Sequence, residues 1–404
     1  MLFKIAWRNI WRSRTRSLVV MGAIAVGVWS VIFLISFSSG MVDSYVRNAI
    51  ENEVSHLQAH HPEFPRDEEV HFLLGATPED LQQIERLPGV EAATLRTIVQ
   101  AMISSGKTTT GARVRGIDPE REHRVTHLDE KVVEGEYLDA PRRNALLVST
   151  RLAEKLKVRL RSRVVLTFQD LEGNITAGAF RVVGLFDTGN NAFDESTVFV
   201  RQSDLNRLLA RPDANHELAV KLREIAFVDS VQSAIQALHP GWLVENYAQI
   251  APEIELFQSQ IKLSALIFTV VVMLGLIFGI INTMLMAVLE RVRELGMLMA
   301  IGMNKPRVFA MVVLETLFLG LAAAPAGLLL GWLTVRILGR TGIDLSAWSA
   351  GVREFGMSAV VYPSLQGQVY GLLIVAVLVT ALLGALYPAL KAIRLRPVEA
   401  LRKI

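Results

Sequence analysis

The sequence predicts a membrane protein of four transmembrane α-helices with a large α+β extracytoplasmic domain between helices 1 and 2. Three observations predict it. Four apolar stretches are long enough to cross a bilayer, basic residues crowd the same side of each, and the long segment after the first stretch changes to strand-like alternation.

The spans come first because composition points to them. The chain has 404 residues, 51% of them hydrophobic, and a mean hydropathy of +0.36, above what an ordinary soluble domain carries. A hydrocarbon core of about 30 Å needs about 20 helical residues. Residues 18–37, 264–289, 308–338 and 369–390 satisfy that length, and only the third carries charge, at Glu315 and Arg336. It also exceeds the need, which predicts tilting, a kink at Pro325 or extension into water. The boundaries expected are helix 1 over 18–40, helix 2 over 263–289, helix 3 over 306–338 and helix 4 over 369–390.

Orientation follows from basic residues in short flanks, which are retained in the cytoplasm. Lys4, Arg8, Arg12, Arg14 and Arg16 precede the first span, Arg291, Arg293, Lys305 and Arg307 lie between the second and third, and Lys391, Arg394, Arg396, Arg402 and Lys403 follow the fourth. The loop over 339–368 balances Arg340 and Arg353 with Asp344 and Glu354. Both termini, including the tail 391–404, are therefore expected inside and residues 41–262 outside. Before the first span, Phe3, Trp7, Ile10 and Trp11 share one helical face beside a stripe of Lys4, Arg8, Arg12 and Arg16, so residues 1–17 read as an amphipathic helix on the inner surface. Small residues at Ser36, Ser38 and Gly40 would permit signal cleavage, but the apolar run is longer than a signal core requires.

The outside segment reads as α+β: strand over 54–60, helix over 78–86, a hairpin of 90–103 with 109–116, strand over 218–222, helix over 227–238 and strand over 242–247. Residues 119–200 read as an inserted β-rich subdomain, with turns at 171–174 and 187–191. Two features imitate chemistry. Ser105-Gly106-Lys107-Thr108 resembles the end of a phosphate-binding loop, but Ala101 stands where its first glycine belongs, so a hairpin turn is expected. His56, His60, His61 and His71 suggest metal, yet two histidines four apart on a strand are too far apart to chelate one ion unaided, and a solvated strand face is expected. No nucleophile with a base and no acid pair stands out, so no catalytic, cofactor or metal site is assigned. With no cysteine, thiol chemistry is excluded.

The functional signal is concentrated in residues 289–321. Residues 290–305 read as a short cytoplasmic helix with Glu290, Arg291, Arg293 and Glu294 in its first turn, apolar residues such as Leu295 toward its end, and Gly302 at its terminus. Its pattern of Glu290-Arg291, Arg293-Glu294-Leu295-Gly296 and Ala300-Ile301-Gly302 resembles the coupling-helix motif of the FtsX/MacB-type ABC transporter permeases, with Leu314-Glu315 and Leu319-Gly320 as its continuation. Val114, Gly116-Ile117-Asp118-Pro119, Gly135, Tyr137-Leu138 and Phe180-Arg181-Val182-Val183-Gly184 extend the likeness, as do Tyr387-Pro388-Ala389, Pro397 and Glu399-Ala400-Leu401. Within that family the chain is most similar to the lipoprotein-releasing permeases of the LolC/LolE type, having a larger outside domain than division-type permeases and no complete phosphate-binding loop of its own.

The resemblance implies a porter-like outside domain with a β-rich insert in a multi-pass protein of the bacterial inner membrane. It further implies a non-catalytic permease subunit that pairs with an identical or paralogous permease. A cytoplasmic ABC ATPase, which uses the ATP and Mg, docks on Glu290, Arg291, Arg293, Glu294, Leu295, Gly296, Ala300 and Gly302. Lipid or lipoprotein is the implied substrate, with a periplasmic carrier beyond it and no nucleic acid. The alternatives are mechanical regulation of a cell-wall hydrolase, or export of a small hydrophobic or peptide substrate. Gly275 with Gly279 and Gly327 with Gly331 allow close helix approach, within the chain or at a dimer seam. Glu315 is expected to be hydrogen-bonded near the cytoplasmic end of its span, with Asn282 or Thr283 as partner.

Overall fold

The computed structural model describes residues 2–138, 143–346 and 360–394. Arg353, Glu354, Arg396, Arg402, Lys403 and the tail motif at Pro397, Glu399, Ala400 and Leu401 lie outside the described residues. The chain divides into two compact units, one of residues 1–42, 258–343 and 360–404, the other of residues 43–257 and 344–359.

The first unit is helical: α1 Leu2–Arg12, α2 Arg14–Ala49, α3 Pro252–Glu290, α4 Val292–Ala300, α5 Lys305–Thr341 and α6 Gly367–Ile393. Of these, α2, α3, α5 and α6 are long and apolar enough to cross a membrane. The amphipathic start is shorter than its charge pattern implies, because the chain breaks at Ser13 and Arg16 already belongs to α2. Ile10 is buried rather than part of the exposed aromatic face, which is Phe3, Trp7 and Trp11. Val28, Val31, Ile32, Met311, Val312, Leu319, Ala323 and Val377 form the packed centre. Small residues set the helix spacing there. A Cβ on Gly327 would lie 2.7 Å from the Ala25 carbonyl oxygen, and one on Gly331 2.5 Å from Ile32. Helix α5 therefore packs on α2 through bare backbone, whereas nothing in the described chain lies within 4 Å of such an atom on Gly275 or Gly279.

The second unit has two lobes built on one strand. Strands are β1 Leu57–His60, β2 Val90–Ser104, β3 Thr109–Ile117, β4 Val132–Gly135, β5 Ala145–Ser149, β6 Arg163–Gln169, β7 Ile175–Phe186, β8 Thr197–Arg201, β9 Glu217–Leu222 and β10 Leu243–Asn246. The first half of β2 completes an antiparallel sheet in the order β10-β1-β9-β2, backed by helices Pro78–Glu85 and Val228–Leu238. From Thr97 onward β2 pairs with β3 instead. Following the ladders from β3 to β8, β5, β7 and β6 returns to β2, so six strands close into a barrel around Val99, Ile103, Val114, Leu166, Phe180 and Val182. Residues 119–200 are therefore no self-contained insert. Their barrel is completed by β2 and β3, which lie before them in sequence.

Two local expectations change. Residues 50–54 continue the first long helix as a π turn rather than opening the strand, and that turn's carbonyls are satisfied by cations. Lys131 Nζ donates to Glu51 O at 3.2 Å and Arg115 Nη1 to Glu53 O at 3.2 Å. The histidine face is not solvated: His60 is buried with Nε2 3.4 Å from Glu217, and burial lowers His56 to about 4. No cluster able to hold a metal occurs among the described residues. Ser105 to Thr108 does form the hairpin turn, closed by Ser105 N–H to Thr108 O at 3.1 Å.

The changeover in β2 falls at Arg96, which is fully buried. Its Nη1 donates to Glu217 at 2.6 Å, and its Nε and Nη2 grip Glu122 at 3.0 and 2.6 Å. Burial opposes each charge, but the two carboxylates outweigh it and raise Arg96, while Arg96 holds Glu217 well below the usual carboxylate range.

Candidate functional site

The segment singled out by its charge pattern forms a corner. Helix α3 ends at Glu290, and Arg291 sits between helices with φ −102° and ψ 16°, the bridge region that a helical run avoids. Its N–H bonds back to Val288 at 3.2 Å, and its carbonyl starts α4 by accepting from Leu295 at 2.9 Å. At the far end Met303 N–H reaches Leu298 O at 3.0 Å and Gly302 N–H reaches Met299 O at 3.2 Å. This six-to-one and five-to-two pair is a Schellman closure, and Gly302 supplies the positive φ of 106° it needs.

Arg291 is also the pin of the corner. Its Nη1 donates to Glu315 Oε1 on α5 at 3.0 Å, and Nη2 donates to Asn9 O on α1 at 3.2 Å. One guanidinium thus ties α1, the α3–α4 junction and α5 together. The partner of Glu315 is therefore Arg291, not Asn282 or Thr283; Thr283 bonds Gly279 O on its own helix and Asn282 is exposed. Position explains the difference. The break between α3 and α4 falls at Arg291 itself, and its side chain reaches inward to α1 and α5. Glu315 and Arg291 line a cavity of about 250 Å³ with Asn9, Leu298 and Met311.

The two acids of the motif face α1 and α2. Arg12 grips Glu294 with two bonds of 2.8 and 2.6 Å, and Arg16 pairs with Glu290. Leu295 and Gly296 are buried against the chain, while Arg293, Met297, Ala300, Ile301 and Gly302 are exposed. The eight positions thus divide: Glu290, Arg291, Glu294, Leu295 and Gly296 fix the corner, and Arg293, Ala300 and Gly302 face outward with Met297 and Ile301. The last two, at 52% and 79% exposure, carry most of the outward apolar surface. The charge motif alone does not single them out, although the 3.6-residue period, with Leu295 turned inward, places Met297 and Ile301 on the opposite face.

Residues 17–238 match the MacB-like periplasmic core domain family, and residues 266–397 match the FtsX-like permease C-terminal family. The "Lipoprotein-releasing system transmembrane protein LolC" of Neisseria meningitidis serogroup B is 24% identical, over 96% of this chain and 94% of its own length. The "Pyoverdine export ATP-binding/permease protein PvdT" of Pseudomonas syringae pv. syringae is also 24% identical, over 98% of this chain, which spans 58% of that protein's length. Among solved structures, the periplasmic region of MacB from Actinobacillus actinomycetemcomitans is 15% identical, covering 52% of this chain and 97% of that one with a TM-score of 0.37. Four membrane-length helices, a MacB-like domain after the first and an FtsX-like segment over the last three make this a multi-pass membrane protein, and the chain belongs to the FtsX/MacB family of ABC transporter permeases.

Proposed function

We propose that this permease works with a separate cytoplasmic ATPase and turns ATP hydrolysis there into extraction of lipoproteins from the outer leaflet of the bacterial inner membrane. The observation that carries the coupling role is the α3–α4 corner. A short helix with an outward apolar tip at Met297 and Ile301 is anchored by Arg291 to α1 and α5, so force on the tip reaches two further helices. Basic residues flanking the spans, among them Arg12, Arg16, Arg291 and Lys391, support a cytoplasmic placement of that tip and of both termini. The ATPase holds the ATP and Mg, and this chain supplies no catalytic group. A second permease, identical or paralogous, completes the assembly, with the open face of α3 at Gly275 and Gly279 available for it.

Lipoprotein as cargo is supported by the relative named as lipoprotein-releasing, which aligns over 96% of this chain and 94% of its own length. A second reading, export of a small hydrophobic or peptide molecule, is supported by the similarity to PvdT, whose name assigns it pyoverdine export. Purification with the cytoplasmic ATPase, followed by mass spectrometry of what the complex carries, separates them. Bound lipoprotein supports the first reading, a small molecule the second, and no ATPase in the complex sinks both. Met297→Asp with Ile301→Asp is expected to abolish ATPase capture while leaving the exposed surface otherwise intact.

A further inference from the structure

Helix α5 carries a feature that coupling does not use. Leu329, Leu330, Trp332, Leu333 and Ile337 are exposed along its far half, and the same face holds Arg336 and Arg340 one and two turns beyond Trp332. The Arg336 guanidinium lies 5.0 Å from the Trp332 ring centroid. Among the described residues neither arginine forms an ion pair with a carboxylate.

Depth decides what this face meets. Gly327 lies against Ala25 and Val28, Gly331 against Ile32, and Trp29 Nε1 donates to Thr334 Oγ1 at 3.0 Å, so α5 and α2 run side by side in register. At the far end Gly40 approaches Tyr362 O and Gly339 approaches Pro363 O, which sets residues 40 and 339 at one level. The apolar run of α2 ends at Phe37, followed by Ser38, Ser39 and Gly40. Arg336 therefore falls in the last turn of the apolar layer and Arg340 just beyond it, where the phosphates of that leaflet lie. A cation on a lipid-facing helix surface is costly without an anion, and a guanidinium is shaped to hold a phosphate through two oxygens.

We propose that Trp332, Arg336 and Arg340 form a binding site for the phosphodiester of a membrane glycerophospholipid, in the leaflet opposite the α4 corner. The acyl chains run along Leu329, Leu330 and Leu333, the indole supports the Arg336 cation from one side, and the phosphate accepts from both guanidinium groups. The site holds a lipid beside the contact of α5 with α2, at the level where Trp29 bonds Thr334.

The test uses the full chain in nanodiscs and reads Trp332 as the fluorescence difference between wild type and Trp332→Phe. The same brominated acyl chains are supplied on phosphatidylglycerol, on phosphatidylcholine or on diacylglycerol, which has no phosphate. Both phospholipids are expected to quench Trp332 more strongly than diacylglycerol, with phosphatidylglycerol strongest. In Arg336→Gln/Arg340→Gln the phosphatidylglycerol preference is expected to fall by about fivefold for each arginine removed. Equal quenching by the three lipids in the wild type overturns the proposal, and so does an unchanged preference in the double variant. The wild-type comparison decides the matter even if the double variant fails to insert.

Discussion

At the scale of single residues, two buried groups make the sharpest predictions. Arg291 and Glu315 are each 15% exposed or less, so Arg291→Ala strands a carboxylate, and the loss of a buried partner costs about 3–5 kcal/mol. Arg291→Met with Glu315→Met removes both charges and is expected to regain most of that, as read from thermal unfolding in detergent. Glu315→Gln keeps an acceptor for Arg291 and should retain activity, whereas Glu315→Lys sets a second cation against Arg291 and should prevent assembly. His216 makes a pH prediction. Its Nδ1 accepts from Ile98 N–H at 3.1 Å and its Nε2–H donates to Val70 O at 2.9 Å, so the neutral ring is fully used. Burial lowers it from 6.5 to about 4. The unfolded chain then binds more protons than the folded one between those values, so stability is complete above 6.5 and falls as pH drops toward 4, by up to about 3 kcal/mol. His216→Gln should flatten that slope, and a melting temperature equally sensitive to acid in the variant would refute it.

Elements respond through backbone rather than charge. Gly302 needs its positive φ to close α4, so Gly302→Ala strains the Schellman turn by about 1–3 kcal/mol and should fray the helix tip, lowering ATPase capture before global stability. The two glycine pairs separate cleanly. Gly327→Ala drives a methyl into the Ala25 carbonyl and should destabilise the helical unit itself, whereas Gly275→Ala meets nothing in the described chain. Loss of permease pairing on Gly275→Leu with unchanged monomer stability would put that face at the dimer seam; no change in either places it in lipid. These elements were largely legible in the sequence because helical spans and hairpins rest on local periodicity. The pairing of Arg291 with Glu315 was not. It depends on where one helix breaks, and the charge pattern of Glu290 to Glu294 reads the same whether or not α3 bends there.

For the whole molecule the illegible part is barrel closure. Strand β6 pairs with β2 from Met102 to Ser104 and with β7 along its length, and no period in the sequence announces a contact between strands so far apart. The same non-local pairing makes β2 a member of both lobes, with Arg96 at the exchange point and its charge divided between Glu217 at the start of β9 and Glu122 on the helix Pro119–Thr126. A buried ion pair of this kind contributes little net stability compared with an apolar replacement, so its value lies in fixing one arrangement of the lobes. Arg96→Met alone leaves two carboxylates buried and should unfold the lobes. Arg96→Met with Glu122→Gln and Glu217→Gln restores neutrality and should fold, yet without the charged joint the barrel and the sheet lose their single register. If the domain moves as one body under force from the helices, the triple variant should hydrolyse ATP in complex with its ATPase at the wild-type rate while releasing less cargo. Trp242, the one tryptophan between residues 43 and 257, reports whether the sheet lobe remains folded during that assay. Wild-type release from a folded triple variant would show that the joint serves folding alone.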